Sequence, residues 1–338
     1  MASASPAGLR LVAAEAGVHP STASRALNPR TRHLVAAPVA ERVREVAARL
    51  GYRPDAAAAA LRTGRSRLVG ALVPGIANPV FPPILAAAAA VLSAAHHALL
   101  LADPGDDAAR AAEFVAELAS RRVDGLLLAT VARDADPALA ACLARRIPVV
   151  LINRAGDGAP AVVSDDRAGM ALAVEHLAGL GHRRIGHLAG PANLSTGQLR
   201  LDGFRTAMAA HGLPGDSAVE TATAYTREAG AEAASRLLGQ HPDLTALACA
   251  NDLLALGAFD ACRQAGRRVP EDISITGHND MPLADLIEPP LTTIRIPHAL
   301  MGQRAAELLL DILGGGHPAG VTLAPTLVVR ASTAPARR

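Results

Sequence analysis

GLRLVAAEAGVHPSTASRALN, residues 8–28, is the stretch that decides how the chain begins to fold. Leu9, Val12, Ala13 and Ala16 recur at helical spacing, and the run stops at Gly17, a helix breaker. Pro20 can open a second helix, because the first helical position needs no N–H bond. That helix buries Ala23 and Leu27 and projects Ser21, Thr22, Ser24 and Arg25 outward. Two short helices joined by a tight glycine-bearing turn predict a helix-turn-helix, whose second helix suits the DNA major groove.

A third helix is expected from about Val35 to Leu50, with Val39, Val43, Val46 and Leu50 on one stripe and Gly51 closing it. Three such helices can enclose a small core of Val12, Ala23, Val43 and Val46. The outer side then carries Arg25, Arg30, Arg32, Arg42 and Arg44, each able to neutralise a phosphate. Charge is distributed to match. Residues 1–67 hold eleven arginines against four acids, whereas the remainder holds 22 against 27. A basic module for a polyanion joined to a larger, mildly acidic body follows from this split.

The length of 338 residues exceeds the usual single-domain size, and with 2% aromatic residues the cores must be built from Ala, Val and Leu. Cys142, Cys249 and Cys262 form no CxxC pair and read as small core residues of a reducing compartment. Neither an export signal nor an apolar run long enough to span a bilayer is visible, so a cytoplasmic protein is expected. From Arg67 onward apolar strand candidates (LVGALVP, ALLLAD, GLLLAT, VVLIN, AVVSDD, RIGHLAG, ALACAN, ISITGHN) alternate with amphipathic helices. This rhythm predicts two doubly wound parallel sheets, over about 67–165 and 166–293. Ligands of open α/β sheets sit beyond the carboxyl ends of strands, so two facing lobes imply one cleft between them. No nucleophile elbow, HExxH or paired-carboxylate motif occurs, and the histidines lack metal-ligand spacing. The expectation is a protein without catalytic residues, metal or cofactor.

AGVHPSTASRALN, RVREVAARLGYRPD and LRTGRSRLVGALVP occur in this order, followed by NPVF, EHLAGLGHRRIGHLAGP, RLDGFRTAM, ANDLLALGA, VPEDISITGHND and PPLTTI. Together they resemble the lactose/galactose repressor (LacI/GalR) family of bacterial transcription regulators over nearly the whole chain. The resemblance implies a DNA-binding domain at 1–53, a hinge helix at 54–66, an effector-binding and dimerisation domain at 67–332 and a tail at 333–338. The larger domain would be periplasmic-binding-protein-like, with 294–320 returning to the first subdomain (67–165) and 321–332 to the second (166–293).

By the same resemblance, Pro20, Ser21 and Arg25 reach base edges. Thr22, Ser24 and Asn28 contact phosphates or hold the turn, and Leu61 wedges into the minor groove at the operator centre. Asn78 and Phe81 would form one wall of the cleft, and Arg200, Asn251 and Asn279 the other, with His298 as a further cleft residue. Residues alone leave Asn78 open as a turn former, Phe81 as core and His298 as structural. His19 stands where the family has a capping Ser, and Asn279 where many sugar-binding members have Asp. The implied function is a homodimeric repressor on a pseudo-palindromic operator, released or retuned by a carbohydrate effector. A purine or other non-sugar effector is the alternative, as is a sensor that has lost specific DNA binding.

Overall fold

The computed structural model describes residues 8–28, 31–52, 65–215 and 218–337. Contacts divide the chain between Ser66 and Arg67 into two compact units. The expected hinge helix with Leu61, and Arg30, lie outside the described residues.

The first unit is a three-helix cluster. Helices Leu9–Glu15, Pro20–Leu27 and Ala37–Arg49 pack around buried Val12, Ala13, Ala23, Ala26, Val43 and Val46, with a 3-10 turn at Arg32–Leu34. Leu27 is only partly buried at the rim of this core. Gly17 makes the turn at φ 63°, a left-handed conformation that glycine adopts without a Cβ clash. The cap missing at His19 is supplied in another way: its Nδ1 accepts from the Ser21 amide at 3.3 Å. An imidazole nitrogen thus does the work of the hydroxyl that the sequence lacks.

The second unit holds two six-stranded sheets. The first contains β1 (Leu68–Leu72), β2 (Ala98–Ala102), β3 (Gly125–Leu128), β4 (Val149–Ile152), β5 (Ala161–Ser164) and β11 (Val321–Leu323), in the order β11-β5-β4-β3-β1-β2. The second contains β6 (Ile185–Ala189), β7 (Val219–Thr221), β8 (Ala246–Cys249), β9 (Ser274–Asn279), β10 (Thr292–Arg295) and β12 (Thr326–Val328), in the order β12-β10-β9-β8-β6-β7. All neighbouring pairs run parallel except β10 with β12. The central strands of the first sheet are apolar throughout because both faces are covered. In β3, Leu127 joins one core, while Leu126 and Leu128 join the core on the opposite face.

The final crossings differ from the expected boundaries by a few residues. Segment 292–295 is a strand of the second sheet, so the return to the first lobe begins after Arg295, where helix His298–Leu313 buries Met301, Ala305, Ala306 and Leu309. Val321–Leu323 pairs with β5 in the first lobe, and the last crossing comes only at Thr326. Backbone pairing decides both points: three or four residues suffice to extend a sheet edge. The tail is pinned rather than loose. The Ser274 hydroxyl accepts from the Ala334 amide at 3.0 Å, and the Leu180 carbonyl accepts from the Ala336 amide at 2.9 Å.

Candidate functional site

Each unit carries its own candidate surface. In the first, Ser21 and Arg25 are exposed on helix Pro20–Leu27, while Pro20, Thr22, Ser24 and Asn28 are half-buried. This matches a helix that presents one short face outward and keeps its shoulders in the turn. The exposed arginines divide into two classes. Arg42 Nε donates to the Ala16 carbonyl at 3.0 Å, Arg44 pairs with Glu41, and Arg49 pairs with Glu15 at 2.6 Å. Among the described residues of this unit, Arg10, Arg25 and Arg32 carry no carboxylate partner.

In the second unit a cleft of about 460 Å³ opens between the carboxyl ends of the two sheets. Asn78 and Phe81 line it from the first lobe, and Arg200, Asn251 and Asn279 from the second. His298 is not among its lining residues. It opens the helix His298–Leu313, with Nε2 buried and unpartnered, and burial lowers its pKa. The alternative roles of the first wall are also realised. Asn78 Oδ1 accepts from the Val80 amide at 3.2 Å, and Phe81 belongs to the first-lobe core.

Arg200 organises the second wall. Its Nε donates to Asp166 Oδ1 at 2.8 Å, NH1 to the Ala250 carbonyl at 2.6 Å, and NH2 to Asn279 Oδ1 at 3.3 Å. A guanidinium has five N–H donors, so about two remain for a ligand. Burial alone would make the arginine easier to deprotonate, but Asp166, together with Tyr225 and Asp252, outweighs it and holds the cation firmly charged. Burial likewise acts to raise the Asp166 carboxyl, yet Arg200 and His278 together keep it below the ordinary range. Asn279 sits at φ 113° and Asp280 at φ 53°, strained positions at the end of β9. They are held by Arg200 on one side and by ion pairs of Asp280 to Arg295 and Arg330, both at 2.7 Å, on the other. Asn251 caps helix Asp252–Gln264 by accepting from the Leu254 amide at 2.8 Å, which leaves mainly its amide N–H groups for a ligand.

Several cleft residues escaped the sequence reading. Tyr225 lines the second wall with the Arg200 guanidinium 5.9 Å from its ring centre, and its hydroxyl donates to Thr196 Oγ1 at 3.3 Å. Its place depends on Gly190, where a Cβ would lie 2.1 Å from the phenol oxygen. On the first wall Arg154 donates to Asp106 Oδ1 at 3.0 Å and to the Thr130 carbonyl at 3.3 Å, while its Nε is buried without a partner. Asn153, Arg154 and Asp106 stand just after β4 and β2, and the strand-end rule points to those positions. Directly behind the second wall, buried Asp252 accepts from the Met281 amide at 2.7 Å and from the Thr293 hydroxyl, and burial pushes its carboxyl up to about 7. The lobes also touch outside the lining: the Asn193 carbonyl accepts from the Arg133 amide at 2.8 Å, and Ser195 Oγ from the Ala155 amide at 3.0 Å.

Comparison with known proteins gives concordant results. Residues 9–55 match the model of bacterial regulatory proteins of the lacI family, and residues 174–333 match a periplasmic binding protein-like domain. The chain is 37% identical to the HTH-type transcriptional regulator MalR of Streptomyces coelicolor, covering 96% of each chain. The structure resembles that of a CelR–cellobiose complex, with a TM-score of 0.74 and 33% identity over 96% of this chain and 99% of the other. It also resembles the lac repressor dimer bound to operator and an anti-inducer, with a TM-score of 0.88 and 29% identity over 98% and 100% of the two chains.

Proposed function

The chain belongs to the lacI family of bacterial regulatory proteins, and from its two surfaces we propose a cytoplasmic, homodimeric repressor whose hold on operator DNA is set by a carbohydrate in the cleft. The cleft carries the reading. Of the six aromatic residues in the chain, Phe81 and Tyr225 line it from opposite lobes, among amide and guanidinium donors. Apolar ring faces combined with N–H donors are what a polyhydroxyl ring requires. The cellobiose held by a related regulator supports a sugar over a purine, and the 460 Å³ volume has room for a sugar.

On the DNA side, Arg25 reads a guanine edge, Ser21 and Pro20 contact neighbouring bases, and Thr22, Ser24 and Asn28 set the register on the phosphates. Leu61 enters the minor groove at the operator centre. Two copies related by a twofold axis then read a pseudo-palindrome. Exposed Leu101 on edge strand β2 and exposed Leu283 and Leu286 supply apolar surface for the dimer. The role is binding without turnover, since a ligand shifts the operator equilibrium only by its different affinities for the two lobe arrangements.

Operator selection from random duplex pools, followed by titration with neutral mono- and disaccharides, tests both halves. A selected palindrome whose complex weakens or tightens with one sugar supports the reading. Failure to enrich any sequence at low salt would remove the DNA half, and a nucleobase acting where every sugar is silent would remove the carbohydrate half.

A further inference from the structure

Every buried cation on the cleft walls is already matched to a carboxylate. Arg200 is 2% exposed and lies 2.8 Å from Asp166, which is 3% exposed and not among the lining residues. The second lobe therefore presents the guanidinium to the cleft and keeps its counter-charge behind it. On the facing wall Arg154 is matched to Asp106, which is half-exposed and itself lines the cleft, so the counter-charge there meets an entering anion directly. The other groups around Arg200 add little charge. His278 Nε2 lies 3.4 Å from the same Asp166 oxygen and is kept neutral by burial, with a pKa pushed down to about 4. Asp252 keeps its oxygens on Met281 and Thr293, Asp280 is occupied by Arg295 and Arg330, and Asn251 and Asn279 are neutral. A carboxylated ligand entering here would meet guanidinium groups whose attraction is spent, and it would lose its hydration without a free cation in return.

We propose that Asp166 is a specificity-determining residue: by compensating Arg200 from behind, it makes the cleft select uncharged polyhydroxyl ligands over their carboxylated counterparts. This rests on the reading of the cleft as a carbohydrate site. Asp166 itself is a positioning residue, because it acts through Arg200. A purely structural Asp166 would support all ligands alike. A charge-compensating Asp166 instead controls the ratio between neutral and acidic forms of the same sugar.

The test uses matched pairs, glucose with gluconate, maltose with maltobionate and cellobiose with cellobionate, measured by calorimetry and thermal shift on the full chain. Four proteins form a series: wild type, D166N, N279D and D166N/N279D. D166N keeps an acceptor for Arg200 Nε but removes the charge. N279D adds a carboxylate 3.3 Å from the guanidinium, and the double variant moves the charge from behind the arginine to the cleft side. The acid-to-neutral affinity ratio is expected to rise about tenfold or more in D166N, to fall by a similar factor in N279D, and to return near wild type in the double variant. If D166N does not fold cooperatively, the fall in N279D and its reversal in the double variant carry the test.

A ratio left unchanged by D166N, or the same in N279D and in the double variant, with any pair bound, overturns the proposal while leaving the carbohydrate site intact. A wild type that prefers the acids does the same. If neither member of any pair binds the wild type or D166N, the carbohydrate reading fails and the proposal falls with it.

Discussion

The two functional surfaces hold their side chains in opposite ways. On helix Pro20–Leu27 the proposed base-reading residues Ser21 and Arg25 are exposed, and the small core beneath them only fixes the direction of the helix. In the cleft the lining side chains are buried or half-buried and each is held by another: Arg200 by Asp166 and Asn279, Tyr225 by Thr196, and Arg154 by Asp106. An exposed reader can be exchanged without disturbing the fold. A buried one is part of the fold, so its loss registers first as instability.

The largest test of this contrast is Arg200→Met. It strands the buried Asp166 carboxylate, and breaking such a pair by removing one partner costs about 3–5 kcal/mol. Urea unfolding of the chain should show that loss in the cleft-bearing unit, together with loss of ligand response. A stability within experimental error of wild type would mean that the pair does not hold the wall.

Next is pH. Asp252 has its pKa raised to about 7, against about 3.9 for an unfolded Asp. The folded state therefore binds more protons than the unfolded state between those values, and this contribution declines as pH rises from about 4 to 7, then stays flat. Asp252→Asn, whose carbonyl oxygen can still accept from the Met281 amide while its NH2 donates to the Thr293 hydroxyl oxygen, should raise stability at pH 8 by about 1–3 kcal/mol and flatten that slope. Asp166 works with the opposite sign. Its lowered pKa adds stability above the unfolded value, and that contribution is lost as acid protonates the folded carboxyl. Thermal melts from pH 4 to 8 on wild type and Asp252→Asn separate the two.

Arg25→Ala gives the counterpart on the exposed surface. It should weaken the selected operator by about 1–3 kcal/mol in gel shifts and relax one base position, with unfolding and ligand response unchanged. His19→Ala should have the smallest effect, a loss of about 0.5–2 kcal/mol in stability of the three-helix unit, because the imidazole stands in for the usual cap. A neutral result there would show that the helix start is held by Pro20 alone.

The same contrast explains what could be read in advance. The three helices and eight strands announce themselves as periodic or continuous apolar runs, and these coincide with the observed elements. Strands β7, β10, β11 and β12 did not, because VET, TTIR, VTL and TLV are too short and too rich in threonine to show a period. Their hydrogen bonds come from strands far away in the chain. Asn78, Phe81, Arg200, Asn251 and Asn279, all on the cleft lining, were expected there through family motifs, whereas Asp166 and Tyr225 acquire meaning only once helices and loops distant in sequence converge on Arg200. His298, also expected in the cleft, opens helix His298–Leu313 and is not among the lining residues.

The last two strands also set a timetable. Five strands of the first sheet are made by Ser164, but its edge closes only when Val321–Leu323 arrives, and the second sheet waits for Thr326–Val328. At synthesis rates of about 5–20 residues per second, the first lobe stands open for roughly 10–30 s, with β5 unpaired on one side and the seat of helix His298–Leu313 uncovered. Both lobes then mature almost together, once Val328 has been made. A polypeptide stopped short of Val321 would carry two unfinished sheets, which makes residues 321–328 a checkpoint on whether any ligand-responsive regulator is released at all.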